Sequence, residues 1–254
     1  MTHYAVITSL NQEYFDHCGR ACLETFSRFW PDDITLHVFN EDMVKPQKYK
    51  KVNYINWKVL GAEYTDFVSR TENSKVIQFS KKAFPIIWAF DNIPCDRLIW
   101  LDADVATKRD MSVQLLDLLS NPETLSTHYG VKHPWPSEEN PDRVSFSCET
   151  GFFILNKTHR MFPEFAKIYK KYYTKDLGYN LRRFYDGEVY GAVVAELEEK
   201  GAAMFELNPG QKHKTPIPRS VMAPYIQHYK AGAKDGINNE TILNSIEEEE
   251  SYED

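Results

Sequence analysis

The stretch Arg97-Leu98-Ile99-Trp100-Leu101-Asp102-Ala103-Asp104-Val105 constrains this chain more than any other. Leu98 to Leu101 is a short apolar run that reads as a buried strand and is too short for a helix of its own. Asp102 and Asp104 follow where the run gives out. On extended chain, residues two apart point the same way, so the two carboxylates are expected to converge on one cation. In open α/β sheets, ligands sit just outside the carboxyl ends of the strands. The stretch therefore predicts a hard-cation site at such an edge.

The flanking pattern supplies the sheet. His3 to Thr8 reads as a first strand, Gln12 to Arg28 as a helix with an apolar stripe, and Ile34 to Phe39 as a second strand. This is the strand–helix–strand opening of a parallel α/β fold. Residues 41 to 74 read as loop with short elements. A helix is expected from Ser74 to Asp91, kinked or broken near Phe84 by Pro85. Ser112 caps a further helix, and helices are expected over His159 to Tyr173 and Asp186 to Lys200. Later strands fall at His128 to His133, Phe152 to Leu155, Ala203 to Leu207 and Tyr225 to Tyr229. No internal repeat or linker divides the chain, which predicts one domain over 1–246 and a disordered acidic tail over 247–254.

Charge narrows the partners. The formal net charge is −7, but Glu247 to Glu250, Glu253 and Asp254 carry nearly all of it, so the body is close to neutral. Such a body is no electrostatic match for a polyanion, and a nucleic-acid partner is disfavoured. No apolar run reaches membrane-spanning length. The four cysteines form no C-x-x-C and no zinc or disulfide spacing, so Cys18 and Cys22 read as packing residues. With the first strand beginning within a few residues of Met1, the expectation is a cytoplasmic protein.

The strand and its aspartates resemble the D-x-D strand of GT-A-fold glycosyltransferases, most closely the glycogenin-like family 8. Other segments match in order. Val6-Ile7-Thr8 with Asn11 and Tyr14 is similar to the first strand and loop. Cys148 to Asn156 resembles the family's Asn-Ser-Gly-apolar-Asn strand, with Glu149-Thr150 in place of Asn-Ser. Tyr225 to Lys234 resembles the late strand with its metal-binding histidine.

The resemblance implies a single GT-A-like α/β domain with a Rossmann-like, mixed and mostly parallel central sheet flanked by helices. It implies Mn²⁺ or Mg²⁺, held by Asp102, Asp104 and His228, and a UDP-sugar as donor. Oxygen ligands with one imidazole suit Mn²⁺. Thr8, Asn11 and Tyr14 would hold the nucleoside, Asp102 and Ala103 the ribose and diphosphate, and Lys82 and Lys234 the diphosphate. Lys81 would then be a solvated helix residue. One extra residue between His228 and Gly232 leaves His213 with Lys212 or Lys214 as alternatives for the late-strand roles. Asp186 and Glu188 would face sugar and acceptor, and Gly187 stands where the family places glutamine. An inverting enzyme would need a carboxylate base, which Asp186, Glu188 or Glu149 could supply. The acceptor, whether glycan, small molecule or protein, is not specified by these motifs. Variable loops at 134–147 and 176–186 would shape its pocket.

Two other readings compete. Haloacid dehalogenase-like phosphatases also place D-x-D after an apolar strand, but on the first strand and with Thr or Val where this chain has Ala106. A non-catalytic nucleotide-sugar-binding module would keep the fold without turnover.

Overall fold

The computed structural model describes residues 2–134, 144–209, 216–229 and 237–251. In chain order the strands are β1 (Tyr4–Leu10), β2 (Thr35–Asn40), β3 (Val52–Asn56), β4 (Arg97–Leu101), β5 (Val105–Thr107), β6 (Thr124–Pro134), β7 (Val144–Asn156), β8 (Ala203–Glu206) and β9 (Ile226–His228). The helices are α1 (Gln12–Tyr14), α2 (Arg20–Phe29), α3 (Gly61–Arg70), α4 (Ser74–Asn92), α5 (Val113–Leu119), α6 (Phe162–Thr174), α7 (Asp186–Glu199) and α8 (Asn239–Ser251). A π-helical turn, Phe15–Gly19, joins α1 to α2.

The main sheet has the order β3-β2-β1-β4-β7-β6-β8. The pairs of β1 with β2 and β4, β2 with β3, and β6 with β8 are parallel, whereas β7 runs antiparallel to β4 and β6. This is the single α/β domain with a mixed, mostly parallel sheet that the strand pattern predicts. All five residues of β4 are buried, as expected of a central strand covered on both faces.

The alternation along β4 sorts its side chains between two cores. Leu98 and Trp100 join α4, α6 and α7 in an aromatic core that includes Phe84, Phe90, Phe165 and Tyr190. Ile99 and Leu101 pack on the other face with Leu23 and Phe26 of α2 and Leu116 of α5. Helix α4 continues through Pro85, so the break expected there does not occur. Buried residues on both sides of the proline, among them Phe84, Ile86 and Ile87, hold the two halves against one core.

Two further segments differ from expectation. Within 41–74 the chain forms the edge strand β3 and the helix α3, whose one buried residue is Phe67. Leu60, Tyr64, Phe67 and Val68 keep helical spacing against the core, but over about two turns among polar residues. Helix α7 falls where expected and lies close on β7: a Cβ at Gly187 would stand 2.3 Å from the Cys148 carbonyl oxygen, and one at Gly191 2.5 Å from that of Phe146. Side chains facing backbone have no room to shift, which accounts for Gly187 where the family pattern has glutamine. The second differing segment is the acidic run, which begins on helix: α8 extends to Ser251, anchored by Ile242 and Ile246 against Cys18, Ala21, Phe29 and Tyr229. Glu249 accepts from Lys108 at 2.9 Å. These contacts outweigh like-charge repulsion as far as Ser251, and 252–254 lie outside the described residues.

His128, buried on β6, hydrogen-bonds Ser126 Oγ at 3.1 Å, and that hydroxyl also meets the Tyr190 hydroxyl at 2.8 Å. Burial pushes its imidazole down to about 4. The unfolded chain then binds the extra proton between pH 6.5 and 4, so stability rises with pH across that window. Denaturation midpoints are expected to fall on acidification, with about 3 kcal/mol lost in full once pH is below 4. Urea titrations of wild type and His128→Gln check this, since the variant's slope across the window should be flatter.

Candidate active site

The site forms where β4 ends. Asp102 accepts a turn bond from the Val105 N–H at 2.9 Å, and its own N–H donates to the Gly151 carbonyl at 2.8 Å. A tight turn, rather than the extended alternation expected from sequence, therefore brings the two carboxylates together. His228 arrives through β5 and β9, whose antiparallel register sets Val105 opposite His228. The Tyr229 N–H donates to the Asp104 carbonyl at 2.8 Å and locks that register.

His228 Nε2 stands 3.0 Å from Asp104 Oδ1 and 3.8 Å from Asp102 Oδ2. Ligand atoms of the three residues all lie within 4.8 Å of one another. The donor set fits a hard divalent cation. Two ligands at right angles, each about 2.1 Å from an octahedral ion, lie about 3.0 Å apart. His228 Nδ1 is buried without a hydrogen-bond partner among the described residues, and Nε2 is the nitrogen directed at Asp102 and Asp104. The Tyr14 hydroxyl donates to Asp104 Oδ2 at 3.2 Å.

The other oxygen of Asp102 is occupied. Oδ1 lies 2.7 Å from Lys82 Nζ and accepts from the Trp100 indole N–H at 2.6 Å. Lys82 reaches Asp186 Oδ2 at 2.8 Å, and both Thr150 oxygens at 3.0 Å. The Thr150 hydroxyl donates to Asp186 at 2.6 Å. Burial pushes the Lys82 ammonium down, but Asp102 and Asp186 together raise it above its ordinary value. Burial raises Asp102 despite Lys82, and Asp186 is lowered because Lys82 and Thr150 outweigh its burial. Burial lowers His228, but the Asp104 bond and the surrounding carboxylates raise it overall. Asp102, Asp104, Asp186 and Glu149 thus surround one lysine and one histidine, an excess of negative charge that a bound dication would offset.

The structure brings together Asp102, Asp104, His228, Lys82, Asp186, Glu149 and Tyr14. Ala103 is buried in the turn between the aspartates. Asn11 caps α1, accepting from the Tyr14 N–H at 2.8 Å, and so places the Tyr14 ring. Thr8 is fully enclosed, and its hydroxyl has no hydrogen-bond partner among the described residues. Glu188 is buried in a separate pairing with Arg182 and Ser145. Lys81 is not merely solvated, because it pairs with Glu41 at 2.6 Å. Lys234, with Lys212, His213 and Lys214, lies outside the described residues.

Of two supporting residues, one was legible in principle. Trp100 precedes Asp102 by two and shares its face, so alternation alone places the indole beside that carboxylate. Gly151 carries no such local signal. A Cβ there would stand 2.7 Å from His228 Nδ1 and 2.8 Å from Cε1, so the glycine is what admits the ring. Gly151→Ala is expected to lose about 1–3 kcal/mol of stability through overpacking and to weaken Mn²⁺ binding by displacing the imidazole. Urea denaturation and Mn²⁺ titration check this, and unchanged cation affinity would show that the ring has another way to seat.

No protein-family model and no curated protein matches the sequence. The structure, however, is similar to solved glycosyltransferases. Mouse xyloside xylosyltransferase 1, in its apo form, aligns with a TM-score of 0.53 at 14% identity over 81% of this chain and 85% of that one. The galactosyltransferase LgtC, in complex with donor and acceptor sugar analogues, aligns with a TM-score of 0.53 at 14% identity over 96% and 95%. The bifunctional glycosyltransferase WbbM gives 0.56 at 13% identity over 96% of this chain but 50% of its own, so this chain spans about half of WbbM. At such identities the likeness is one of fold, and the fold is that of GT-A glycosyltransferases. The phosphatase alternative is not favoured. No helix among the described residues is long and apolar enough to cross a membrane.

Proposed function

We propose that the protein is a Mn²⁺-dependent glycosyltransferase that moves a hexose from a nucleoside diphosphate sugar, UDP-linked, to an acceptor hydroxyl. The observation that carries this reading is the convergence of Asp102, Asp104 and His228 at the carboxyl end of β4 in a GT-A fold. In the transfer, the anomeric carbon–oxygen bond to the diphosphate breaks, a bond to the acceptor oxygen forms, and the acceptor hydroxyl gives up its proton, to the departing diphosphate or to a carboxylate base among Asp186, Glu188 and Glu149. A dication held by the three residues would stabilise negative charge on the departing diphosphate.

The surrounding residues then take distinct parts. Tyr14 orients Asp104, and Trp100 with Lys82 fixes Asp102 so that its second oxygen faces His228. Asp186, held ionised by Lys82 and Thr150, is a weak proton acceptor suited to orienting a sugar hydroxyl. Asn11 and Ala103 would line the nucleoside and ribose positions through the α1 cap and the turn backbone, beside Tyr14. Thr8 would lie beneath them, Lys234 would contact the diphosphate, and Glu188 would support the acceptor side through Arg182. The four free cysteines fit a reducing, cytoplasmic setting. The acceptor would be met by the loops at 134–147 and 176–186.

Calorimetric titration of UDP-glucose and UDP-galactose, with Mn²⁺ and with EDTA, tests the donor. Binding that requires Mn²⁺ is expected. Binding with neither hydrolysis nor transfer would favour a non-catalytic module, whereas failure with every nucleoside diphosphate sugar would end the reading.

A further inference from the structure

We propose that Glu149 is a positioning residue for the cation site: its carboxylate accepts the Nδ1–H of His228 and fixes the ring in the tautomer that turns Nε2 to the metal. This rests on the metal site proposed above. Imidazole binds a cation through a nitrogen that carries no proton, so a neutral His228 ligating through Nε2 holds its single proton on Nδ1. That buried nitrogen has no hydrogen-bond partner among the described residues. The carboxylate it faces is Glu149 Oε1 at 3.5 Å, about half an ångström beyond ordinary hydrogen-bond length.

The approach is built by β7. The Gly151 N–H donates to the same Glu149 oxygen at 3.3 Å and steadies it beside the ring. Gly151 itself leaves the Nδ1 edge clear, since any Cβ would fall 2.7 Å from that nitrogen. The ring is thus flanked on one side by Glu149 and Gly151 and on the other by Asp104 and Asp102. Unlike an amide, a carboxylate only accepts and brings negative charge, so it both selects the Nδ1–H tautomer and raises the basicity of Nε2 toward a cation. Replacing asparagine by Glu149 in the strand pattern thereby adds an outer carboxylate to the metal-binding histidine.

The test is calorimetric titration of Mn²⁺ into the full chain without donor, for wild type, Glu149→Gln and Glu149→Ala. Affinity is expected to fall in that order, with a loss of roughly 10–100-fold in Glu149→Ala. Melting temperatures identify any variant that fails to fold, in which case Glu149→Asp carries the comparison. In the Mg²⁺-loaded protein, nitrogen-15 spectra are expected to show His228 protonated at Nδ1 in wild type and mixed in Glu149→Ala. Equal Mn²⁺ affinity across the series overturns the proposal while leaving the metal site intact. So does unchanged affinity accompanied by a collapse of kcat at saturating Mn²⁺, which would make Glu149 the base. A wild type that binds no Mn²⁺ overturns the metal site and this inference together.

Discussion

Asp104→Ala is expected to reduce metal-dependent turnover on the order of 10³-fold, about 4 kcal/mol of transition-state stabilisation. Asp104 Oδ1 is 3.0 Å from His228 Nε2, and its other oxygen takes the Tyr14 hydroxyl. The alanine removes one of the three proposed ligands and leaves Tyr14 and His228 without the carboxylate they contact. The fold should survive, because Asp104 lies at the end of a turn whose backbone bonds, from the Val105 N–H to Asp102 and from the Tyr229 N–H to the Asp104 carbonyl, do not involve its side chain. Steady-state transfer assays across a Mn²⁺ series, with circular dichroism as the fold control, measure it. Full activity at any Mn²⁺ concentration would refute the site.

Lys82→Met is expected to cost about 3–5 kcal/mol of stability, the range for a buried ion pair that loses one member. The Lys82 side chain is 12% exposed and neutralises both Asp102 and Asp186. Methionine keeps the stem's volume against the Trp100 ring, 5.4 Å from the ammonium, but leaves two enclosed carboxylates facing each other. Asp186 is held ionised chiefly by that ammonium, so its pKa should rise in the variant. Adding Asp186→Asn should then restore part of the lost stability, because one of the two uncompensated charges is gone and the repulsion with Asp102 with it. Urea denaturation of the single and double variants gives the coupling. Strict additivity would mean that Lys82 and Asp186 do not depend on each other as their 2.8 Å contact implies.

Much of the fold was legible because its central strands are short apolar runs buried on both faces. Tyr4–Leu10, Arg97–Leu101 and the Phe152–Leu155 part of β7 announce themselves by composition. Edge elements did not. Strand β3 alternates weakly at the sheet margin, and α3 repeats its apolar residues Leu60, Tyr64, Phe67 and Val68 over only about two turns. Helix α8 was masked by its acidic end, although Ile242 and Ile246 seat it. Of the kink or break expected at Pro85, the break does not occur, and Phe84, Ile86 and Ile87 are buried around the proline in one core.

The sequence by itself determined the chemistry available: two aspartates ending a buried strand, a lysine twenty residues earlier, and a histidine and acidic residues far along the chain. These are local facts of residue type and spacing, and no fold is needed to see them. Only the tertiary structure decided which groups meet. The β5–β9 register delivers His228 to Asp104, and the absence of a side chain at Gly151 admits the ring. Lys82 is claimed by Asp102 and Asp186, while Glu188 is turned away to Arg182. The physical reason is range. Periodicity reports which face of an element is buried, but the pairing of charges across elements depends on strand register and backbone approach, which no single segment encodes.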